Sequence, residues 1–180
     1  SKNLVWFICN QPTGTQLPAR AFPFDLSRGL LNPDGFALDH ATYVGCTVDT
    51  FPLPDIIYAW GNGLSNPSDP SSSQFSFVTK LEVPNGNLFT GPSTVSALQL
   101  TGLTAAPVSR YSAIDSEGGD LYLTIDNTPA TVVRILLGSF QQGVSLPTNL
   151  QNFENLLFSP QLRTIVAVAN GLGRVSTLAQ

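Results

Sequence analysis

His40 is the one histidine of the chain and the side chain best suited to acid–base chemistry near neutral pH. Asp39 is its immediate neighbour, and Asp34 and Asp25 precede it. A hydrolase built on His40 would need the fold to bring it a nucleophile and an orienting acid. The sequence contains no Gly-x-Ser-x-Gly elbow and no His-Glu-x-x-His motif to propose one. We therefore expect no catalytic residue, and we interpret His40 as a loop histidine bonded to a neighbour; a β-fold hydrolase is the least favoured function.

A second group of possible ligands is acidic and flanks two expected hairpin turns: Asp115, Glu117, Asp120 and Asp126. Calcium loops place ligands at alternate positions and close on a bidentate glutamate, and this spacing does not match that pattern. We expect these carboxylates to be solvated, and we expect no metal site.

The two cysteines and the glycine-rich segment point to no cofactor. Cys9 and Cys46 lie in separate apolar runs without a Cys-x-x-Cys pair, so zinc is disfavoured and two unpaired, buried thiols are expected. The run Gly61-Asn62-Gly63 is followed by a proline-rich loop, whereas a phosphate-binding loop leads into a helix.

Aromatic and amide side chains meet at the end of one apolar run and in the loop after it, where they could contact a sugar. This candidate surface consists of Tyr58, Trp60, Asn62, Asn66 and Asp69. An aromatic ring at the end of a strand is more often part of the core, so packing is the alternative interpretation of Trp60.

Composition indicates what must position these residues. Of 180 residues, 42% are hydrophobic and 11% are charged, with 15 Gly and 14 Pro, which describes a turn-rich chain with a substantial apolar core. Eight scattered basic residues and a net charge of −4 argue against nucleic acid as a partner. No apolar run is long enough to span a bilayer, so we expect no membrane insertion.

Short apolar or alternating segments between turn clusters predict an all-β fold, an antiparallel β-sandwich or barrel of about nine strands. The predicted strands are residues 4–9, 42–48, 56–60, 75–83, 95–103, 108–114, 121–125, 131–137 and 163–169. Residues 149–158 are predicted to form one short helix, and residues 10–39 and 61–73 are predicted to be loops. We see no internal repeat. We expect one domain over residues 1–180, and the lack of methionine suggests that it is excised from a longer protein.

Residues 83–93, with the sequence Val-Pro-Asn-Gly-Asn-Leu-Phe-Thr-Gly-Pro-Ser, resemble the stretch that opens the protruding domain of calicivirus capsid proteins. The weakly charged composition is also similar to that of the outer domains of small icosahedral RNA virus capsids. The resemblance implies an antiparallel β domain that forms dimers or trimers on the particle and binds a host receptor or glycan.

The favoured function is therefore a viral capsid protruding domain, located on the virion surface and assembled in the host cytoplasm. A carbohydrate-binding β-sandwich of a phage tail, adhesin or lectin is the alternative. The first function predicts exposed Phe and Leu residues in one patch that serves self-association.

Overall fold

Four antiparallel sheets make up the computed structural model of this chain. The structure describes residues 4–11, 17–49, 55–64, 69, 71–83, 93–103, 108–125, 130–148, 153–169 and 174–178. Among these residues there is no helix that could cross a membrane. The chain divides into two compact units, residues 1–97 and 98–180. The single domain expected over residues 1–180 stays a prediction.

The first unit holds sheet A and most of sheet B. Sheet A consists of β1 (Leu4–Cys9), β2 (Arg20–Asp25), β3 (Leu30–Leu31) and β4 (Phe36–Ala37). Strand β2 is central, because it pairs with β1 on one edge and with β4 and β3 on the other. Sheet B consists of β5 (Gly45–Asp49), β6 (Asp55–Leu64), β7 (Gln74–Val83) and β8 (Ser93–Leu100), in that order. The end of β8 passes the boundary between the units.

The second unit holds sheets C and D. Sheet C consists of β9 (Val108–Asp115), β10 (Asp120–Ile125), β11 (Thr131–Leu136) and β12 (Gln141–Pro147). Sheet D consists of β13 (Phe153–Ser159), β14 (Thr164–Ala169) and β15 (Arg174–Leu178). In sheets B, C and D every strand pairs with the strand before or after it in the sequence.

Successive side chains of a strand point to opposite faces of its sheet, so each sheet can bury one apolar face. The two sheets of each unit pack face to face in this way. In the first unit, alternate residues of β1 and β2 meet β6 and β7 in one cluster: Trp6, Ile8, Ala21, Ile57, Ala59, Phe77 and Leu81. In the second unit, sheet C and sheet D share another cluster: Ala113, Tyr122, Val132, Leu156, Ile165 and Ala167. Sheet C is buried on both faces, since all six residues of β10 are buried.

The all-β, antiparallel prediction is confirmed, but the counts are wrong. All nine predicted strands overlap observed strands, and six further strands bring the number in the described residues to fifteen. The predicted helix over residues 149–158 is wrong, because residues 153–159 form β13. Its apolar residues suit either period, and pairing with β14 selects the strand.

The two predicted loops also contain strands. Within residues 10–39, the sequence does not predict β2 as a strand, because Pro23 interrupts the alternation of apolar residues. Pro23 lies between the part of β2 that pairs with β4 and the part that pairs with β3. The loop predicted over residues 61–73 begins too early, because Asn62 and Gly63 lie inside β6.

One hairpin turn recurs in both units among the described residues. Four residues separate the paired strands, and the fourth has a positive φ: Gly29 (65°), Gly119 (75°), Phe140 (48°) and Arg163 (50°). In the first two, the glycine N–H donates to the carbonyl oxygen of Asp25 or Asp115, in both cases at 2.8 Å. The side chain before the turn accepts another backbone N–H, as Asp25 does from Ser27, Asp115 from Gly118 and Ser159 from Leu162.

Sheets C and D repeat each other beyond this turn. Each begins with a strand, the four-residue turn and a six-residue strand, β10 or β14. Buried Leu121 and Leu123 correspond to buried Ile165 and Ala167. The corresponding positions are about 44 residues apart. Sequence inspection does not find this shared pattern because it consists of alternation and turn geometry, while the residues differ.

Candidate functional site

A polar cluster next to His40 joins the segment between β4 and β5 to sheet B. The Tyr43 hydroxyl donates to Oδ1 of Asp39, and the Thr79 hydroxyl lies 3.2 Å from Oδ2 of Asp39. The side-chain amide of Asn10 fixes Tyr43 by donating to its carbonyl oxygen at 2.7 Å and accepting from its N–H at 2.8 Å. Burial and the neighbouring Asp39 carboxylate raise the pKa of Tyr43, so this hydroxyl stays protonated.

His40 itself lies against aromatic rings. Its ring centroid is 3.7 Å from that of Phe77 and 6.2 Å from those of Tyr43 and Phe75. Nε2 is 3.7 Å from Oδ2 of Asp39, beyond hydrogen-bond distance, and has no hydrogen-bond partner among the described residues. Burial lowers the pKa of His40, and Asp39 offsets this in part.

This geometry supplies an acid and an imidazole but does not align a nucleophile with them. The hydroxyls of Tyr43 and Thr79 are both engaged with Asp39. A general base must lie within hydrogen-bond distance of the proton it removes. Nε2 of His40 does not make the expected hydrogen bond to a neighbour in the described part of the chain, so that expectation stays a prediction for Nδ1.

The candidate sugar surface is dispersed in the structure. Tyr58 and Trp60 are 2% and 1% exposed, so neither ring can stack on a sugar, and their assignment to a surface is wrong. Residues 57–60 at the middle of β6 are all buried, those on the side away from sheet A included. Burial also raises the pKa of Tyr58 to about 12.

The three polar members of that surface have other positions. Asn62 lies in β6, where its Oδ1 accepts a hydrogen bond of 2.8 Å from Ser76. Asp69 accepts hydrogen bonds from the N–H and hydroxyl of Ser71 at 2.9 and 2.6 Å. Asn66 lies outside the described residues.

Two acids expected in solvent are buried in the second unit. Asp115 and Asp120 are directly opposite each other in the pairing of β9 with β10, and each is 2% exposed. Arg163 lies 3.2 Å from Asp115, and Arg134 donates to Asp120 at 2.6 Å. The two arginines compensate the repulsion between the carboxylates, so we read this as a structural charge cluster.

No metal site emerges from these acids. Among the described residues no three His, Cys, Asp or Glu side chains gather as metal ligands do. Glu117 is exposed, and Asp126 is not in the described part of the chain. Cys9 and Cys46 are free thiols, and both are exposed, which corrects the expectation that they are buried.

The most extensive unexplained feature is the face of sheet A that points away from sheet B. Register pairs Val5 with Phe24, Phe7 with Phe22, and Phe24 with Leu31. Residues opposite each other in an antiparallel pair share a face. We call these five residues the A-face. Phe7 and Leu31 are 51% and 50% exposed, and the other three are half-buried.

Sequence reasoning missed the A-face because the loop predicted over residues 10–39 includes β2. Phe22 and Phe24 alternate with Ala21 and Pro23, and that period of two was the available signal. The other motif with a functional interpretation, residues 83–93, lies largely outside the described residues.

Comparison with known proteins gives a fold and no family. No family model and no curated protein matches the sequence. A solved structure titled Kuenenia stuttgartiensis hydrazine synthase is similar, with a TM-score of 0.76 and 12% sequence identity. The match covers 99% of this chain and 56% of that chain, so this chain spans little more than half its length. At this identity the likeness shows a shared fold alone.

Proposed function

We propose that this chain is a non-catalytic binding scaffold that associates with copies of itself through the A-face. The observation that carries this proposal is the exposure of Phe7 and Leu31 beside three further apolar side chains. Isolated exposed apolar residues are ordinary, but a contiguous group marks an interaction surface. The sequence predicted such a patch of Phe and Leu for a self-associating module.

The order of the strands favours a scaffold of repeated sheets and argues against a Greek-key sandwich. In Greek-key sandwiches, strands that are distant in the sequence become neighbours in a sheet. Here sheets B, C and D are meanders of consecutive strands, which is the topology of propeller blades. We therefore propose blade-type repeats in place of the sandwich or barrel that the sequence predicted.

The setting that we propose for this scaffold is the one implied by the sequence resemblance, a protruding domain on a virus particle with a host receptor or glycan as partner. The low charge of the chain supports it, since 11% charged residues suit closely packed outer domains. A parent reading frame with a shell domain behind a basic amino-terminal arm would support this setting, and a parent without one would exclude it.

Sedimentation equilibrium of the purified chain tests self-association directly. We expect a reversible oligomer in the micromolar range, and we expect Phe7→Ser to weaken it about tenfold or more, because truncating a buried aromatic anchor typically has that effect. Val144→Ser is the matched control, since Val144 is 73% exposed on β12 and lies outside the A-face. A wild-type chain that stays monomeric up to about 100 µM would refute the proposal.

A further inference from the structure

Buried polar atoms without a partner concentrate in the charge cluster of the second unit, which consists of Asp115, Asp120, Arg134 and Arg163. Among the described residues, four buried side-chain atoms make no hydrogen bond. Three of them belong to this cluster: Asp115 Oδ2, Asp120 Oδ1 and Arg134 Nε. A buried polar atom without a partner destabilises the folded chain, so three such atoms in one cluster require a physical explanation.

Strand register brings the three atoms to one face of sheet C. Asp115 and Asp120 are directly opposite each other in the pairing of β9 with β10. Arg134 is opposite Tyr122, which lies two residues after Asp120 on the same strand. Opposite residues share a face, and so do residues two apart along a strand. Because Tyr122 packs in the cluster between sheets C and D, this face is the one covered by sheet D.

Asp120 and Arg134 are each held through an atom other than the unpartnered one. Nη2 of Arg134 donates to Oδ2 of Asp120 at 2.6 Å, and the Tyr122 hydroxyl donates to the same oxygen at 3.2 Å. Oδ1 of Asp120 therefore remains an acceptor without a donor, and Nε of Arg134 remains a donor without an acceptor.

Asp115 is held in the same incomplete way. Its Oδ1 accepts from the N–H of Gly118 at 2.8 Å. Nη2 of Arg163 lies 3.2 Å from its Oδ2, which makes an ion pair, but that oxygen accepts no hydrogen bond among the described residues. With both acids 2% exposed, bulk solvent does not supply the missing donors.

The chemistry of the three atoms defines the ligand that satisfies them. Carboxylate oxygens accept hydrogen bonds, and a guanidinium N–H can only donate. The ligand must therefore donate two hydrogen bonds and accept one. Water has this capacity, and buried waters typically make about three hydrogen bonds to polar groups that would otherwise be unsatisfied.

We propose that one ordered water molecule binds among Asp115 Oδ2, Asp120 Oδ1 and Arg134 Nε. It donates a hydrogen bond to each carboxylate oxygen and accepts one from the guanidinium. The water thus connects β9, β10 and β11, and the ion pair of Asp115 with Arg163 extends this connection to sheet D. The inference is independent of the proposed self-association.

Charge balance favours a neutral ligand at this position. Each carboxylate already has a guanidinium nitrogen nearby, at 2.6 Å for Asp120 and 3.2 Å for Asp115. A cation would meet the Nε–H donor of Arg134, and an anion would meet two carboxylate oxygens. The described residues also lack any group of three His, Cys, Asp or Glu side chains that could hold a metal ion.

Gly118 keeps the space beside Asp115 clear and provides a test variant. A Cβ atom at this position would overlap Oδ2 of Asp115 and lie 2.9 Å from Nη2 of Arg163. The φ angle of Gly118 is not positive, so alanine adopts this backbone without strain. Gly118→Ala should therefore displace one of the three atoms without changing any charge.

A crystal structure at about 1.2 Å resolution tests the inference directly. We expect one water at about 2.6–3.2 Å from each of the three atoms. A direct bond from Arg134 Nε to Asp120 Oδ1 would overturn the inference, and so would a proton shared between the two carboxylates, with their oxygens about 2.5–2.7 Å apart. A metal ion with contacts of about 2.3–2.6 Å, or no ordered density between the three atoms, would also overturn it.

Magnetic relaxation dispersion of water, which detects long-lived internal water molecules, tests the inference in solution. Arg134→Lys keeps the positive charge and removes the Nε donor, while Gly118→Ala displaces Asp115 Oδ2. We expect each variant to lose the contribution of about one water molecule relative to wild type. Equal contributions from wild type and the folded variants contradict the inference.

Two matched controls show whether such a loss is specific to this cluster. Arg28→Lys alters an ion pair with Asp25 at 3.7 Å in the first unit, and Gly138→Ala adds a Cβ that meets nothing within 4 Å. Both should retain the wild-type contribution, and an equal loss in the controls overturns the inference. Circular dichroism identifies variants that fail to fold. If either test variant unfolds, the other decides, and the wild-type crystal structure decides if both do.

Discussion

At the scale of single residues, position 61 requires glycine, because the backbone at Thr42 passes very close to β6. A Cβ atom there would overlap the carbonyl oxygen of Thr42 and lie 2.9 Å from Cζ of Phe77. Backbone cannot retreat as a flexible side chain does, so Gly61→Ala should lower the free energy of unfolding by about 2 kcal/mol. Gly138→Ala is the control, because a Cβ there meets nothing within 4 Å, and it should change stability by less than about 0.5 kcal/mol. Urea denaturation measures both, and equal effects would contradict the steric argument.

His40 should make stability depend on pH near neutrality. Burial lowers its pKa in the folded chain below the ordinary value of 6.5, so protonation favours the unfolded chain. The stability contributed by neutral His40 is complete above the unfolded pKa and is lost as the pH falls through about 6.5 toward the folded pKa.

A His40→Gln variant tests this dependence. Urea midpoints at intervals from about pH 7.5 to 5.5 should decrease in the wild-type chain and decrease less in the variant, with a difference in slope of at most about 1.4 kcal/mol per pH unit. This window lies above the range in which most carboxylates titrate. Parallel curves for the two chains would show that His40 is not the titrating group.

At the scale of secondary-structure elements, hairpin turns of the same length differ in backbone strain. The turn before β14 places Arg163 at φ 50°, where the turn before β10 has Gly119 at φ 75°. A side chain in the left-handed region is unfavourable by about 1–2 kcal/mol, and glycine avoids this strain. The turn before β14 therefore carries backbone strain at Arg163, whereas the turn before β10 carries none at Gly119.

Two substitutions of Arg163 isolate this strain. Both Arg163→Gly and Arg163→Ala remove the ion pair with Asp115, so their difference reports the backbone alone. We expect the glycine variant to be more stable by about 1 kcal/mol, the reverse of the usual order. At exposed Gln161 in the same turn, where φ is not positive, the alanine variant should be at least as stable as the glycine variant. Thermal unfolding of the four variants gives both comparisons.

At the scale of the whole molecule, local patterns predicted strands well and surfaces poorly. The period of two in β7 and β10 places those strands, because alternation survives in any packing. Position alone left Trp60 open between a surface and core packing, and its burial depends on contacts between residues that are distant in the sequence. The charge cluster around Asp115 and Asp120 also escaped, because it depends on register and on arginines that are distant in the sequence.

Self-association should depend little on salt, because the chain carries a small net charge. The net charge is −4, and the defining residues of the A-face are uncharged, so two copies repel weakly and do not attract through ions at the contact. Salt screens that repulsion while leaving apolar burial in place. Raising NaCl from about 0.1 to 1 M should therefore leave the dissociation constant within about threefold or lower it. Sedimentation equilibrium at several salt concentrations measures this. A dissociation constant that rises about tenfold would instead place ion pairs at the contact and argue against the A-face as its centre.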